Sequence, residues 1–373
     1  MTDRTSTTAG ASCAGTPFED GGSPGGLAAH DPSRSCPFGS HSRQFSVHGP
    51  VVDVECDEPG IQDQLDAMLA PFAAAKTPPR GAHPPLSGSI LQYDVEEVLR
   101  SVSPTAGRLA PQSGATELTE VYEEGERYWF VDERWGLAEV NLLKSQWRSW
   151  VLPGPALKLD PLRCAERAVL WPLAQLMRAR GVHLLPAVAA VRDGWAVLIL
   201  CPFSLEPELR AMIRAGYRIV GQRWTAVREE EGRLALLHMP GRVERRGAGH
   251  SRGATDDDTW SDLTAGRGWA RQEHAFCDAV LVAEPGRRGC AEARELSPVE
   301  AVAHLRRAWP LPDVHAARRA SHLPALLSRQ CRCASAQLSR DPKENLELLA
   351  AMRESPVRLD CADTWGDAAG RAA

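Results

Sequence analysis

The residues with the clearest chemical meaning lie where a buried apolar run gives way to an amphipathic helix. This junction reads Cys201-Pro-Phe-Ser-Leu-Glu-Pro-Glu208. The N-terminus of a helix binds phosphate through its backbone N–H groups, but Pro202 and Pro207 have no N–H to donate. Glu206 and Glu208 would satisfy the helix dipole themselves, and each opposes a negative ligand ~4 Å away by about 4 kcal/mol at an intermediate dielectric. We therefore expect this junction to repel phosphate.

Four further side chains near the junction could bind or react. Ser204 could offer its hydroxyl to a ligand, although we favour the interpretation that it caps the helix. A helix N-terminus favours the thiolate of Cys201, whereas the neighbouring glutamates oppose it. Gln222 and Arg223 end the next predicted strand. Arg223 could bind an anion there, but a solvated arginine at a strand end is the default interpretation.

A polar segment from Gly241 to about Arg271 contains two other candidate features. The acidic run 256–258 could bind a divalent cation, but it lacks the spacing of an EF-hand, so we favour solvated loop charge. Trp260 and Trp269 also lie in this segment. An exposed indole is a typical anchor for a protein partner, and the alternative is a loop that folds back on its own domain.

The ten cysteines do not form a pattern typical of a disulfide scaffold or a zinc site. Cys331 and Cys333 form a CxC pair without a second pair at zinc-finger spacing, and His274 with Cys277 is an isolated HxxC. We therefore predict buried or idle thiols rather than metal ligands.

The elements that must position these residues are clearest in the centre of the chain. Leu184 to Val191 and Trp195 to Cys201 are continuous apolar runs around an Arg-Asp-Gly turn, which is typical of strands buried on both faces. Beyond them, the periodicity predicts a helix over 207–215, a strand over 217–221, a hairpin over 224–238, a strand over 279–283, a capping box at 297–300 and a closing helix around 346–352.

The composition of successive segments predicts the domain boundaries, and the net charge indicates which partners are unfavourable. We predict a disordered tail over 1–43, an α/β region over 44–160, a core over 161–355 with the polar segment as a loop, and a frayed tail over 356–373. The net charge of −5 gives no basic field for nucleic acid or anionic membranes. Neither a transmembrane run nor the apolar core of a signal peptide is found, so we expect a cytoplasmic protein.

The order of these elements resembles the HPr-kinase-related serine kinases, whose core is shared with phosphoenolpyruvate carboxykinase. The resemblance is carried by the stretches Leu185–Leu200, Arg214–Arg223 and Ala226–Pro240, and extends more weakly over most of Phe45 to Met352. It implies a mixed α/β (α+β) fold: a P-loop core with a mixed β-sheet and flanking helices, and a smaller N-terminal α/β part.

The departures from this family concern its chemistry. Where the family has the glycines, lysine and serine of a phosphate loop, this chain has Cys201, Pro202, Phe203, Ser204, Glu206 and Glu208. Two family aspartates are replaced by Gln222 and Arg223, and a family histidine by Pro186. Backbone donors, a lysine and a metal anchor carry phosphoryl transfer, so their loss implies a pseudokinase with no cofactor.

The resulting expectation is a catalytically inactive accessory or regulatory subunit that binds a protein or peptide. The alternative is an active ATP-dependent serine kinase, which would use ATP and Mg at a non-standard phosphate site built from Arg210, Arg214 or Arg223. A third hypothesis, an enzyme of different chemistry around Cys201, has no recognisable catalytic motif to support it.

Overall fold

The computed structural model describes residues 41–69, 72, 85–92, 107–109, 120–153, 161–201, 205–239, 243–244, 260–261, 263, 271–285, 291–308 and 322–354. All of them belong to one unit that begins at Ser40. The first strand begins at His41, so the last three residues of the predicted tail are ordered in a strand. Residues 1–40, the predicted tail 356–373 and most of the polar segment lie outside the described residues.

The N-terminal region forms an eight-stranded mixed sheet. Its strands are β1 (His41–Ser46), β2 (Val51–Cys56), β3 (Leu86–Gln92), β4 (Gly107–Leu109), β5 (Glu120–Glu124), β6 (Arg127–Asp132), β7 (Gly136–Asn141) and β8 (Gln146–Val151), in the order β1-β2-β3-β8-β7-β6-β5-β4. The pairs β2–β3 and β3–β8 are parallel, and the others are antiparallel. The alternating stretch Phe45-Ser-Val-His-Gly-Pro-Val-Val-Asp-Val-Glu-Cys56 predicts a strand pair, and the pairing of β1 with β2 confirms it.

The described residues after β8 add three smaller sheets. Their strands are β9 (Val182–Leu185), β10 (Ala187–Arg192), β11 (Trp195–Leu200), β12 (Arg218–Gly221), β13 (Thr225–Glu230), β14 (Arg233–His238), β15 (Val243–Glu244), β16 (Trp260–Ser261), β17 (His274–Phe276), β18 (Ala279–Pro285), β19 (Glu292–Glu295) and β20 (Arg332–Leu338). The six-stranded sheet has the order β12-β10-β11-β18-β20-β19, the four-stranded sheet β17-β14-β13-β9, and β15 pairs with β16.

Helices connect and cover these sheets. They are α1 (Pro59–Leu69), α2 (Pro161–Ala165), a π-helical turn (Glu166–Leu170), α3 (Trp171–Arg178), α4 (Glu206–Arg214), α5 (Pro298–Ala308), α6 (His322–Gln330) and α7 (Pro342–Glu354). The capping box that opens α5 is confirmed: the Ser297 N–H donates to Glu300 Oε2 at 2.9 Å, and the Glu300 N–H donates to Ser297 Oγ at 3.4 Å. Among the helices of the described residues, none is long and apolar enough to cross a membrane.

The apolar run from Leu184 to Val191 was predicted as one strand, and that prediction is wrong. The run is divided at Pro186 into β9, which pairs with β13, and β10, which pairs with β11 and β12. Proline has no N–H for a sheet ladder, so the chain leaves one sheet and enters another at this residue. The break lies next to the candidate site.

Both faces of β10 and β11 in the six-stranded sheet are buried, as their apolar runs predicted. One face packs with residues of α4 and α7 in a cluster that includes Ile199, Leu209 and Met352. The other face belongs to a larger cluster that runs from Phe45 to Cys333 and so includes residues on both sides of the predicted boundary near 160. That boundary stays a prediction, whereas the mixed α/β class is confirmed.

Candidate functional site

Four strands of the six-stranded sheet end at the same edge. Strands β11, β18 and β20 are mutually parallel, and β12 shares their direction because both β11 and β12 are antiparallel to β10. Ligands of α/β sheets bind outside the carboxyl ends of the strands. Cys201 follows β11, Gln222 follows β12 and Ser339 follows β20, so this edge brings together the two groups of site residues that the sequence singled out.

The junction between β11 and α4 is only partly described. Cys201 is half-buried, whereas Pro202, Phe203 and Ser204 lie outside the described residues. The N-cap residue of α4 is Leu205, whose side chain makes no capping hydrogen bond, and the helix begins at Glu206. Because Ser204 lies outside the described residues, the capping role expected of it stays a prediction.

The two glutamates of this junction are buried and bound within the protein. Both lie in the first turn of α4 and are 8% exposed. Glu206 forms an ion pair with Arg210, one helical turn along. Glu208 Oε1 accepts a hydrogen bond from Asn345 Nδ2 of α7 at 3.3 Å. The carboxylates thus occupy the helix N-terminus as predicted, and side chains of this chain neutralise or bind them.

Asn345 links the two helices that flank this edge. Its Oδ1 accepts the Ser339 N–H at 2.8 Å, and its Nδ2 also donates to the Ser339 carbonyl at 3.0 Å. The loop after β20, the start of α7 and the start of α4 are therefore fixed by one buried amide. Asn345 was not among the residues predicted to matter, because its only local signal in the sequence is its place in the first turn of the closing helix.

Gln222 connects the edge of the sheet to the polar segment. Its side chain is buried, and its Oε1 accepts the Leu263 N–H at 2.8 Å. Leu263 is itself buried and packs with the cluster under α4. At least this part of the polar segment therefore packs on the domain.

Arg223 is not the solvated side chain that we expected as the default. It forms a bidentate ion pair with Glu166 of the π-helical turn, in which Arg223 Nε donates to Oε1 and Nη2 donates to Oε2 at 2.8 Å. The indole Nε1 of Trp224 donates to the same Glu166 at 3.3 Å. The tight turn at Gly221, where a Cβ would come within 2.2 Å of Thr225 Oγ1, directs the chain toward this helix.

A second ion pair and one more arginine lie close to this pair. Arg134 binds the buried Asp132 through Nε at 2.9 Å and Nη2 at 2.6 Å. The guanidinium of Arg167 lies 3.7 Å above the Trp171 ring. Burial lowers the pKa of Arg167 to about 10, while the charges of Glu166 and Asp132 raise it and those of Arg134 and Arg223 lower it further. We call Asp132, Arg134, Glu166, Arg167 and Arg223 the arginine cluster.

The other predicted features contribute little to this edge. Cys56, Cys164, Cys277, Cys331 and Cys333 are buried, which confirms the interpretation of these five thiols as core residues. Within the described ranges, no group of three His, Cys, Asp or Glu side chains is arranged to hold a metal ion. Trp260 lies in β16 by its backbone, and Trp269 and the acidic run 256–258 lie outside the described residues.

Comparison with solved structures finds structural similarity, but the sequence comparisons find none. No family model matches this sequence, and no curated protein matches it. The HPr(Ser) kinase/phosphatase of Coxiella burnetii aligns with 46% of this chain and 96% of its own length, at 11% sequence identity and a TM-score of 0.28. A similarity at this level assigns neither a family nor an activity.

Proposed function

We propose that this chain is a catalytically inactive HPr-kinase-like protein, a pseudokinase that serves as a protein- or peptide-binding accessory or regulatory subunit. The observation that carries the proposal is the pair of buried glutamates in the first turn of α4, bound to Arg210 and Asn345. A triphosphate at this junction would face two carboxylates, and it would have to displace contacts that the protein makes with itself.

The neighbouring strand end supports the same proposal. Phosphoryl transfer depends on positioned cations and on a metal that bridges the phosphates. After β12, Gln222 is a neutral amide engaged with Leu263, and Arg223 is engaged with Glu166. Neither residue is an acid that could anchor magnesium or accept a proton. The sequence keeps a well-packed core around these losses, which favours a retained binding role over decay of the gene.

The test of inactivity is a thermal-shift titration with Mg-ATP. We expect millimolar Mg-ATP to change the melting temperature no more than the same concentration of MgCl₂ with AMP, which supplies adenine without a triphosphate. An increase of several degrees that is specific to Mg-ATP would contradict the proposal.

The binding role needs its own experiment. We expect affinity capture with the full chain to recover a stoichiometric protein partner, and the substitutions Trp260→Ala and Trp269→Ala to remove it. Leu143→Ala is the matched control, because Leu143 is an exposed apolar side chain elsewhere, in the turn before β8. If the tryptophan variants keep the partner, these residues are not the anchors.

The alternative, an active serine kinase, needs arginine side chains that can bind the phosphates of ATP, and two of its three candidates are already paired with glutamates. Arg210 is paired with Glu206 and Arg223 with Glu166, and Arg214 lies at the opposite end of α4 from the junction. Transfer of radiolabelled phosphate from ATP to a small acceptor protein, abolished by Arg223→Ala, would favour this alternative and refute the pseudokinase.

A further inference from the structure

Arg167 lies in the π-helical turn, and its side chain is partly buried. Its Nη1 is fully buried and has no hydrogen-bond partner among the described residues. The guanidinium stacks on Trp171, which packs edge-on against Phe130. A ring face attracts a cation, but it cannot accept the in-plane N–H bonds of a guanidinium. At least one strong donor of Arg167 is therefore left unsatisfied.

The surrounding charges do not supply the missing acceptor. The arginine cluster contains three guanidinium groups and two carboxylates. Asp132 is bound bidentately by Arg134, and Glu166 is bound bidentately by Arg223. Arg167 is thus the cation in excess, and a buried charge without a hydrogen-bonded partner is strongly unfavourable. The burial that lowers the pKa of Arg167 still leaves it charged at neutral pH.

An added oxyanion would balance this charge. The planar fork of a guanidinium matches the oxygens of a carboxylate or a phosphate, and such charge-assisted bonds are strong in a partly desolvated site. The cluster is also accessible, since the side chains of Arg134 and Arg223 are 22% and 29% exposed. The π-helical turn that carries Glu166 and Arg167 is a rare distortion that occurs frequently at functional sites.

We propose that Arg167 binds an oxyanion, either a carboxylate or a phosphate group, while Arg134 and Arg223 beside it stay paired with Asp132 and Glu166 and add their positive field. This site goes beyond the proposed pseudokinase function. It uses arginine side chains around the π-helical turn rather than the backbone of the β11–α4 junction, and it requires neither a phosphate loop nor a metal.

The experiment is a thermal-shift titration with sodium phosphate and, in a separate arm, sodium acetate, both at constant ionic strength set with NaCl. We expect a saturable increase in melting temperature with at least one anion. Arg167→Gln should weaken the apparent affinity at least tenfold. Arg306→Gln is the matched control, because it removes the same charge from an exposed position of α5 and should leave the response unchanged.

The two arms identify the ligand chemistry. A response to phosphate alone assigns a phosphate group, and a response to acetate alone assigns a carboxylate. If neither anion stabilises the protein, or if Arg167→Gln responds like the unmodified chain, the inference is wrong. Should Arg167→Gln not fold, Arg167→Lys provides the test, because lysine keeps the charge but loses the bidentate fork and should still weaken binding.

The outcome is separable from that of the proposed function. Stabilisation by phosphate without stabilisation by Mg-ATP supports both proposals. Stabilisation by Mg-ATP that is lost in Arg167→Gln would refute the pseudokinase and still support the anion site.

Discussion

The ion pair between Glu166 and Arg223 gives the sharpest test of the site's construction. We consider Glu166→Gln, which keeps the shape of the side chain and removes its charge. Glu166 accepts three hydrogen bonds, two from Arg223 and one from the Trp224 indole, and its side chain is 8% exposed. The substitution also leaves two nearby guanidinium groups, those of Arg223 and Arg167, without this counter-charge.

The expected loss in the free energy of unfolding follows from the burial of Glu166. Removing one partner of a buried ion pair costs about 3 to 5 kcal/mol, since the other charge stays desolvated. Arg223 is partly exposed and can recover some hydration, so we expect a value near the lower limit, about 3 kcal/mol. In a domain of this size, each kcal/mol lowers the melting temperature by roughly 2–4 °C. A decrease of roughly 6–12 °C should therefore be measured.

The assay is urea unfolding of the single variants Glu166→Gln and Arg223→Gln and of the double variant. Because the two side chains are in direct contact, their effects should not add: the double variant should cost less than the sum by about 1–3 kcal/mol. Asp66→Asn is the control, since Asp66 pairs with Arg43 at 3.4 Å with both side chains well exposed. Such a pair is worth under about 1 kcal/mol. If Glu166→Gln costs no more than Asp66→Asn, the argument from burial is refuted.

Four further predictions test other parts of the structure. Gly88→Ala should cost about 1–3 kcal/mol in urea unfolding, because its Cβ would lie 2.0 Å from the Trp147 ring, while Gly60→Ala, with nothing nearer than 3.5 Å, should cost almost nothing. Ser297→Ala should cost about 1 kcal/mol, measured in the same way, by removing the cap of α5. Burial lowers the pKa of His48 from 6.5 to about 4, so His48 binds a proton more readily in the unfolded chain than in the folded protein. The free energy of unfolding should then fall by about 3 kcal/mol as the pH drops from 6.5 to 4, and His48→Asn should flatten that part of the profile. Burial raises the pKa of the Cys56 thiol to about 12 and also raises that of Cys333. Both thiols should therefore resist alkylation in the folded protein, and peptide mapping should find them modified only in denaturant. Half-buried Cys201 should be alkylated before either of them.

The local elements of this fold could be predicted because their signals are contained within a few neighbouring residues. The capping box at Ser297 and Glu300, the hairpin around Glu231 and the alternation after Phe45 each follow from a pattern shorter than a dozen residues, and the structure has all three. The loss of the phosphate loop was equally visible, since it depends only on which residues follow an apolar strand and precede a helix.

Two predictions were wrong because the local sequence pattern was compatible with two different structures. The apolar run through Pro186 fits one long strand or two short strands, and only the positions of β13 and β11 decide between them. The solvated interpretation of Arg223 was the default for a strand end, and the chain gives no local sign of a carboxylate that lies 57 residues earlier.

The sequence by itself determined the mixed α/β class, the approximate bounds of several central elements and the acidic, proline-containing junction at Glu206 and Glu208. Tertiary structure decided which partners these charges have: Asn345 reaches Glu208 across 137 residues, and Glu166 meets Arg223 beside Arg167. The physical reason is that helix and strand signals act over a few residues, whereas the energy of a buried charge depends on whatever the sheet order and helix packing bring within hydrogen-bond distance.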